Sequence, residues 1–286
     1  MNNLTQTNKR PIIALMYDFD KTLCADYMQN YGFVPSLGMK QEDFWKETNI
    51  LCVQENMDST LAYMYKMVLE SANRNTPLKR EKLVEMGAKI QFYKGLDTWF
   101  DRINNFGNSV GADVEHYVIS SGLTEIINGT PLSDKFTKIF ACEFVYDENG
   151  NAVWPKVCVN YTNKTQFVYR INKGVLEISN DTDLNRSMPD DSKRIPFCNM
   201  IYIGDGLSDV PCMKMMKAYG GKAIAVYEPA NRTPVEELLQ KERVDFIYPT
   251  DYSPNTGLEV TVKNIIRQMA VTDILAVENH SQKNAL

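Results

Sequence analysis

The stretch that decides the fold is Ile-Ile-Ala-Leu-Met-Tyr-Asp-Phe-Asp-Lys-Thr-Leu-Cys, residues 12–24. It opens with an uncharged run from Ile12 to Tyr17, which is typical of a strand buried on both faces of a sheet. Asp18 and Asp20 follow directly. In open α/β sheets, ligands bind at this place, beyond the carboxyl ends of the strands. Aspartate is also common in turns, so this stretch alone leaves both a functional site and a turn open.

The composition is that of a soluble globular protein. The 286 residues are 44% hydrophobic and 23% charged, which allows a large core and an α/β domain with a smaller insertion. A net charge of −5 with scattered basic residues predicts no nucleic-acid partner. No apolar stretch is long enough for a bilayer, and the N-terminus lacks the apolar core of a signal peptide. We therefore expect a cytoplasmic protein with no membrane partner.

Cysteine and histidine are poorly placed for chemistry. The six cysteines form no CxxC pair, which favours reduced thiols over disulfides or a zinc site. With only two histidines in the chain, carboxylates, hydroxyls and lysines are the groups left to carry a reaction.

Strands alternate with helices along most of the chain. Apolar runs predict further strands at 114–119, 197–203, 223–226 and 244–248. This alternation predicts an α/β fold with a doubly wound, mostly parallel sheet. Residues 139–146 and 152–159 alternate in polarity around an Asn-Gly turn and predict a hairpin.

Residues 26–92 form a block of predicted helices between the first two strands. Apolar residues recur with helical spacing over 61–72, and Asp58 or Ser59 is placed to cap that helix. Pro77 predicts the start of the next helix, because proline suits the first helical position.

Polar side chains follow three of the predicted strands: Asp18 and Asp20, then Ser120, then Asp205 and Asp209. The carboxyl ends of parallel strands share one edge, so we expect these groups to converge. Crowded carboxylates raise one another's pKa values, and a divalent cation such as Mg²⁺ removes that cost. Lys164, near a predicted helix start, adds positive charge. A phosphate could then enter and bind Ser120 and backbone N–H groups.

Four short motifs resemble those of the haloacid dehalogenase (HAD) superfamily, in its phosphatase branch. In the family's order they are Asp-Phe-Asp-Lys-Thr at 18–22, Ile-Ser-Ser-Gly at 119–122, Lys164, and Gly-Asp-Gly-Leu-Ser-Asp at 204–209. The resemblance implies a Rossmann-like catalytic core at 1–25 and 93–286, with an inserted helical cap at 26–92 similar to that of phosphoserine phosphatases. It also implies a Mg²⁺-dependent phosphatase that acts on a small phosphorylated metabolite through an aspartyl-phosphate.

The resemblance also assigns roles to individual residues. Asp18 would be the nucleophile, and Asp20 would be the general acid and then the general base. The metal ligands would be Asp18, Asp20 and Asp205. The phosphate would be held by Ser120, Ser121 and Lys164. Supporting positions would be Thr22, which braces the first loop by hydrogen bonding, Gly122, Gly206 and Asp209.

Several alternatives stay open at this point. Lys156 and Lys173 compete with Lys164 for the third motif. Tyr27 stands where phosphoserine phosphatases carry a glutamate that reads the substrate amine, which argues against phosphoserine as the substrate. The same nucleophile could serve phosphoryl transfer to an acceptor other than water. A metal-binding or partner-binding module without turnover would keep the same fold.

Overall fold

A seven-stranded sheet forms the centre of the computed structural model, which describes residues 10–284. The strands are β1 Ile12–Tyr17, β2 Asp113–Leu123, β3 Lys138–Tyr146, β4 Ala152–Val157, β5 Met200–Gly204, β6 Lys222–Tyr227 and β7 Phe246–Pro249. Their order across the sheet is β4-β3-β2-β1-β5-β6-β7. Each neighbouring pair is parallel except β3 and β4, which form the predicted hairpin. The ends of the predicted core, at 1–9 and 285–286, lie outside the described residues.

β1 is the central strand because its side chains suit burial on both faces. Residues 13–17 are all fully buried, and the strand pairs in parallel with β2 on one side and β5 on the other. Parallel strands that are covered on both faces are a property of doubly wound α/β folds. The predicted fold class is therefore confirmed.

Eleven α-helices are described within residues 10–284. They are α1 Phe33–Ser36, α2 Gln41–Gln54, α3 Ser59–Asn73, α4 Arg80–Gly87, α5 Leu96–Ser109, α6 Thr124–Asn128, α7 Lys164–Lys173, α8 Asp181–Asn185, α9 Val210–Ala218, α10 Thr233–Gln240 and α11 Gly257–Asn284. The first four lie between β1 and β2, where the helical block was expected. None of the helices in the described part of the chain is both long and apolar enough to span a bilayer.

Of the two residues predicted as possible caps of α3, Asp58 and Ser59, it is Asp58 that caps the helix. Its carboxylate accepts hydrogen bonds from the backbone N–H groups of Thr60, at 2.9 Å, and Leu61, at 3.1 Å. These bonds satisfy two donors that lack a partner within the helix.

The prediction of a helix starting at Pro77 is wrong. The next helix, α4, begins at Arg80, and the segment before it pairs with the hairpin instead. The carbonyl of Leu78 accepts a hydrogen bond from Ala152 N at 2.8 Å, and Lys79 forms an antiparallel bridge with Asn151. Proline at this position therefore joins an extended segment, because a tertiary contact outweighs the local helix signal.

Two smaller features complete the comparison with the predicted elements. Residues 197–199 form a 3₁₀ turn in which Asn199 N donates to the carbonyl of Pro196 at 2.9 Å, so β5 begins later than predicted. The six cysteines are all free thiols in the described chain, as expected, and Cys24, Cys142 and Cys212 are buried.

Candidate active site

The carboxyl ends of β2, β1 and β5 lie side by side at one edge of the sheet. This order brings together Asp18 and Asp20 after β1, Ser120 and Ser121 in β2, and Asp205 after β5. All five line one cavity of about 600 Å³. Three segments that are far apart in the sequence therefore converge, because parallel strands end at a common edge.

Lys164 lies at the centre of this edge. It is the first residue of α7, its side chain is only 1% exposed, and its Nζ donates to Asp18 Oδ1 and to Asp209 Oδ1, both at 2.8 Å. The two competing lysines lie elsewhere. Lys156 pairs with Glu143 at the surface, and Lys173 donates to backbone carbonyls. Of these three lysines, only Lys164 contacts the acidic cluster.

The carboxylates of Asp18, Asp205 and Asp209 are close enough to share one cation. One oxygen from each lies within 4.8 Å of the others. Asp209 Oδ1 accepts from Lys164 and from the Tyr202 hydroxyl, at 2.8 and 2.7 Å. Its Oδ2 is buried and has no hydrogen-bond partner among residues 10–284. A buried, unpartnered carboxylate oxygen beside two other carboxylates fits a hard divalent cation that takes oxygen ligands.

Burial and mutual repulsion perturb the acids at this edge. Burial raises the pKa of Asp18 to about 6, against the opposing effect of Lys164. Burial together with the charges of Asp18 and Asp209 raises the pKa of Asp205 to about 8. Burial and the charge of Asp18 also raise the pKa of Asp20 well above its usual value. Such shifts cluster at functional sites, and a raised carboxyl pKa suits a general acid.

Asp20 is oriented by the segment that follows it. Its Oδ1 accepts from Met28 N at 3.0 Å. The turn between them includes Lys21, a non-glycine residue in the left-handed region with φ of 58°, which is a strained conformation for a side chain of this kind. Lys21 also lines the cavity. Lys21 was not among the predicted site residues, although its place inside the first motif was an available signal.

The segment 120–122 offers hydroxyl and backbone groups to the cavity. Ser120 Oγ accepts from Gly122 N at 3.0 Å. Ser121 Oγ is buried and has no partner in the described chain, and its carbonyl accepts from the Tyr63 hydroxyl at 2.6 Å. Both serines line the cavity, so the geometry leaves both available to a phosphate. A Cβ on Gly122 would lie 2.0 Å from Met28 Cε, which explains the glycine.

Thr22 does not brace the first loop in the way predicted. Its hydroxyl is buried and makes no hydrogen bond among the described residues. The backbone does this work instead: Thr22 O accepts from the Tyr252 hydroxyl at 2.8 Å, and Thr22 N donates to the carbonyl of Phe19 at 3.3 Å. Gly206 lies at the cavity in an extended conformation, with open space where a Cβ would stand.

The wall opposite the carboxylates comes from the helical block. Its lining residues are Tyr27, Gln29, Trp45, Thr48, Asn49, Ser59, Thr60 and Tyr63, and Tyr161 completes it from the loop before α7. Apart from Tyr27, which stands at the position of a substrate-reading glutamate in phosphoserine phosphatases, these positions were not predicted to contact the substrate. The only available signal was helical spacing within α2 and α3, which does not say what a face packs against.

Comparison with known proteins defines the fold class. No family model matches the chain. An uncharacterized protein of Borreliella burgdorferi is 28% identical over 280 residues, covering 86% of this chain and 94% of that protein. A HAD family hydrolase of Salmonella enterica serovar Typhi matches with a TM-score of 0.58 and 16% identity, over 90% of this chain and 72% of its own.

Two further solved structures are similar. A substrate-bound phosphoserine phosphatase matches with a TM-score of 0.52 and 16% identity, over 84% of this chain and 93% of its own. Cytosolic 5'-nucleotidase IIIB bound to cytidine matches with a TM-score of 0.51 and 15% identity, over 92% of this chain and 87% of its own. The chain therefore has the fold of HAD hydrolases, of the phosphoserine-phosphatase-like type, as the motifs predicted.

Proposed function

We propose that this protein is a Mg²⁺-dependent phosphatase that hydrolyses a small phosphate monoester through an aspartyl-phosphate on Asp18. The observation that carries the proposal is the buried Lys164, whose Nζ joins Asp18 to Asp209 at 2.8 Å on each side, within a cluster that includes Asp205. A nucleophile, a positive charge and a candidate cation site thus share one cavity, which is the arrangement that phosphoryl transfer needs.

The carboxylates of Asp18 and Asp205 and the main-chain carbonyl of Asp20 would hold the Mg²⁺, with Asp209 supporting them. When bound, the ion offsets the charge of the carboxylates and of the phosphate oxygens. Lys164 contributes a fixed positive charge beside the nucleophile. Ser120 and Ser121 bind the phosphate oxygens with their hydroxyl groups.

The reaction proceeds in two displacements. The Asp18 carboxylate attacks phosphorus, the bond from phosphorus to the substrate oxygen breaks, and Asp20 gives its proton to the leaving alcohol. Asp20 then takes a proton from water, which attacks the phosphorus and releases inorganic phosphate, regenerating Asp18. The raised pKa of Asp20 supports its role as the acid in the first displacement.

We further propose that residues 26–92 act as a cap over a core formed by 1–25 and 93–286, in a cytoplasmic enzyme. Contacts of segment 26–92 with core residues at or beside the cavity support its role as a cap. The Tyr63 hydroxyl donates to Ser121 O at 2.6 Å, and Asn160 Nδ2 donates to Asp58 Oδ2 at 3.0 Å. The cavity lies between these parts, so the cap shields the reacting phosphate from bulk water.

Hydrolysis of 4-nitrophenyl phosphate tests the proposal. We expect turnover with Mg²⁺, its loss in EDTA, and a decrease of about 10³-fold or more in Asp18→Asn and Asp20→Asn. Asp97→Asn, at an exposed position of α5, is the matched control and should keep full turnover. Wild-type turnover in purified Asp18→Asn protein would refute the assigned nucleophile. Added alcohols separate hydrolysis from phosphoryl transfer, because transfer yields a new ester in place of inorganic phosphate.

A further inference from the structure

The cap wall of the cavity carries no charged side chain. Within the described residues, the charged groups that line the cavity are Asp18, Asp20, Lys21, Lys164 and Asp205, and all of them belong to the sheet edge. The lining residues from segment 26–92 are aromatic, hydroxyl or amide residues. Apart from the Lys21 ammonium, which lies 4.0 Å from the centroid of the Tyr27 ring, the part of a substrate that faces this wall therefore meets no charged group.

This wall does not suit the phosphate ester of an amino acid. Phosphoserine carries an ammonium group for which the cap wall offers no carboxylate, and burying that charge without a partner is costly. Asp26, the acid next to Tyr27 in the sequence, already uses both carboxylate oxygens, since Oδ1 accepts from Tyr27 N and Oδ2 accepts from Asn30 Nδ2, both at 2.8 Å. Tyr27, at the position of the glutamate in phosphoserine phosphatases, has an aromatic ring and no carboxylate for the substrate amine.

The wall does not suit a quaternary ammonium group either. Aromatic rings attract cations, but the Tyr27 ring already has a cation, because Lys21 Nζ lies 4.0 Å from its centroid. A second positive group at the same face would be repelled.

The aromatic side chains are held in place before any ligand binds. Trp45 Nε1 donates to Asn30 Oδ1 at 2.8 Å, and the hydroxyl of Tyr63 is bonded to Ser121 O at 2.6 Å. The ring of Trp45 lies 4.9 Å from that of Tyr27 and 6.1 Å from that of Tyr63. Fixed rings bind a flat partner with little loss of conformational entropy.

Gln29 adds an unused polar group to this wall. It is only 2% exposed, and its side-chain oxygen has no hydrogen-bond partner within residues 10–284. A buried amide oxygen without a partner is costly unless a ligand supplies a donor. The amide can present both a donor and an acceptor, which matches a ring edge that carries both kinds of group.

The size of the cavity agrees with a large leaving group. Its volume of about 600 Å³ lies within the range of small-molecule sites, roughly 300–1,000 Å³. A phosphate with a three-carbon alcohol would leave much of this space to water, whereas a ring joined to a sugar would reach the cap wall.

From these observations we propose that the substrate is the phosphate ester of a neutral alcohol with a flat, hydrogen-bonding ring, namely a nucleoside monophosphate. This inference rests on the proposed function, because it names the leaving group of the same reaction. Trp45, supported by its contact with Tyr27, stacks on one face of the base, and Gln29 reads the edge of the base. Trp45 and Gln29 are thus specificity-determining residues.

Ligand binding to the Asp18→Asn protein tests the inference without turnover. We expect calorimetry to show that uridine or adenosine 5'-monophosphate binds about 10-fold or more tightly than phosphoserine, phosphocholine or glycerol 3-phosphate, given the usual strength of stacking on an aromatic ring. Added in this background, Trp45→Ala should weaken nucleotide binding about 10-fold, and Trp45→Phe should retain most of the affinity. Gln29→Leu should reduce the preference for a nucleotide over phenyl phosphate.

Val53→Ala, on the same helix α2 and 81% exposed, is the control and should bind like the parent. Equal or tighter binding of phosphoserine or phosphocholine, or a folded Trp45→Ala protein with unchanged affinity, would overturn the inference. The outcome is separable from that of the proposed function. Preference for nucleotides without hydrolysis of any ester by the wild type would contradict the phosphatase and leave the ligand class standing. Hydrolysis with a preference for phosphoserine would support the phosphatase and contradict the proposed ligand class.

Discussion

Replacing Lys164 with methionine should destabilise the protein and abolish its turnover. The ammonium group is the shared partner of two buried carboxylates, at 2.8 Å from each. Asp18 is 6% exposed and Asp209 is fully buried, so water cannot replace the lost charge. Removing one partner from a buried ion pair costs about 3–5 kcal/mol. We expect a loss of that size in the free energy of unfolding, measured by urea denaturation in EDTA.

Mg²⁺ should recover part of this loss, because a bound cation offsets the same carboxylates. Lys156→Met is the matched control, since that lysine is 54% exposed and pairs with Glu143 at the surface. It should change stability by about 1 kcal/mol or less.

A second substitution isolates the buried charge. Adding Asp209→Asn to Lys164→Met removes one of the unpaired carboxylates, so the double variant should cost less than the sum of the single changes. A Lys164→Met protein as stable as the wild type in EDTA would refute the reasoning. In that case, Lys164 would not compensate the charges of the cluster.

Three other predictions concern stability. Burial lowers the pKa of His116 from 6.5 to about 3. The imidazole of His116 therefore binds a proton in the unfolded chain but not in the folded chain, and the free energy of unfolding falls as the pH drops below 6.5. At pH 5 this group costs about 2 kcal/mol, so the unfolding curve of His116→Gln should depend less on pH over that interval than that of the wild type.

Gly122→Ala should lower the free energy of unfolding by about 1–2 kcal/mol, because its Cβ would displace Met28. Gly206→Ala is the control: there is open space where its Cβ would stand, so it should change the melting temperature little. Asp58→Ala should cost about 1 kcal/mol through the lost cap of α3. A thermal melt as stable as the wild type for Gly122→Ala or Asp58→Ala would contradict the contact assigned to it.

Local sequence was a good guide wherever one element decided the outcome. The apolar run before Asp18 predicted a strand buried on both faces, and the helix cap was narrowed to Asp58 or Ser59, of which Asp58 is the cap. Local sequence failed at Pro77, where pairing with residues of the hairpin outweighs the helix signal. It also left three lysines as candidates for one role, because nothing near Lys164 in the sequence states that its side chain is buried.

The sequence by itself determined the doubly wound fold and the edge at which the acidic residues gather. Both follow from apolar runs that must be buried and from polar residues at the ends of parallel strands. Only the tertiary structure decided that Lys164 lies between Asp18 and Asp209 and that Gln29 and Trp45 line the same cavity as Asp18 and Lys164. Periodicity reports which face of an element is buried, whereas the partner of that face is set by the packing of the whole chain.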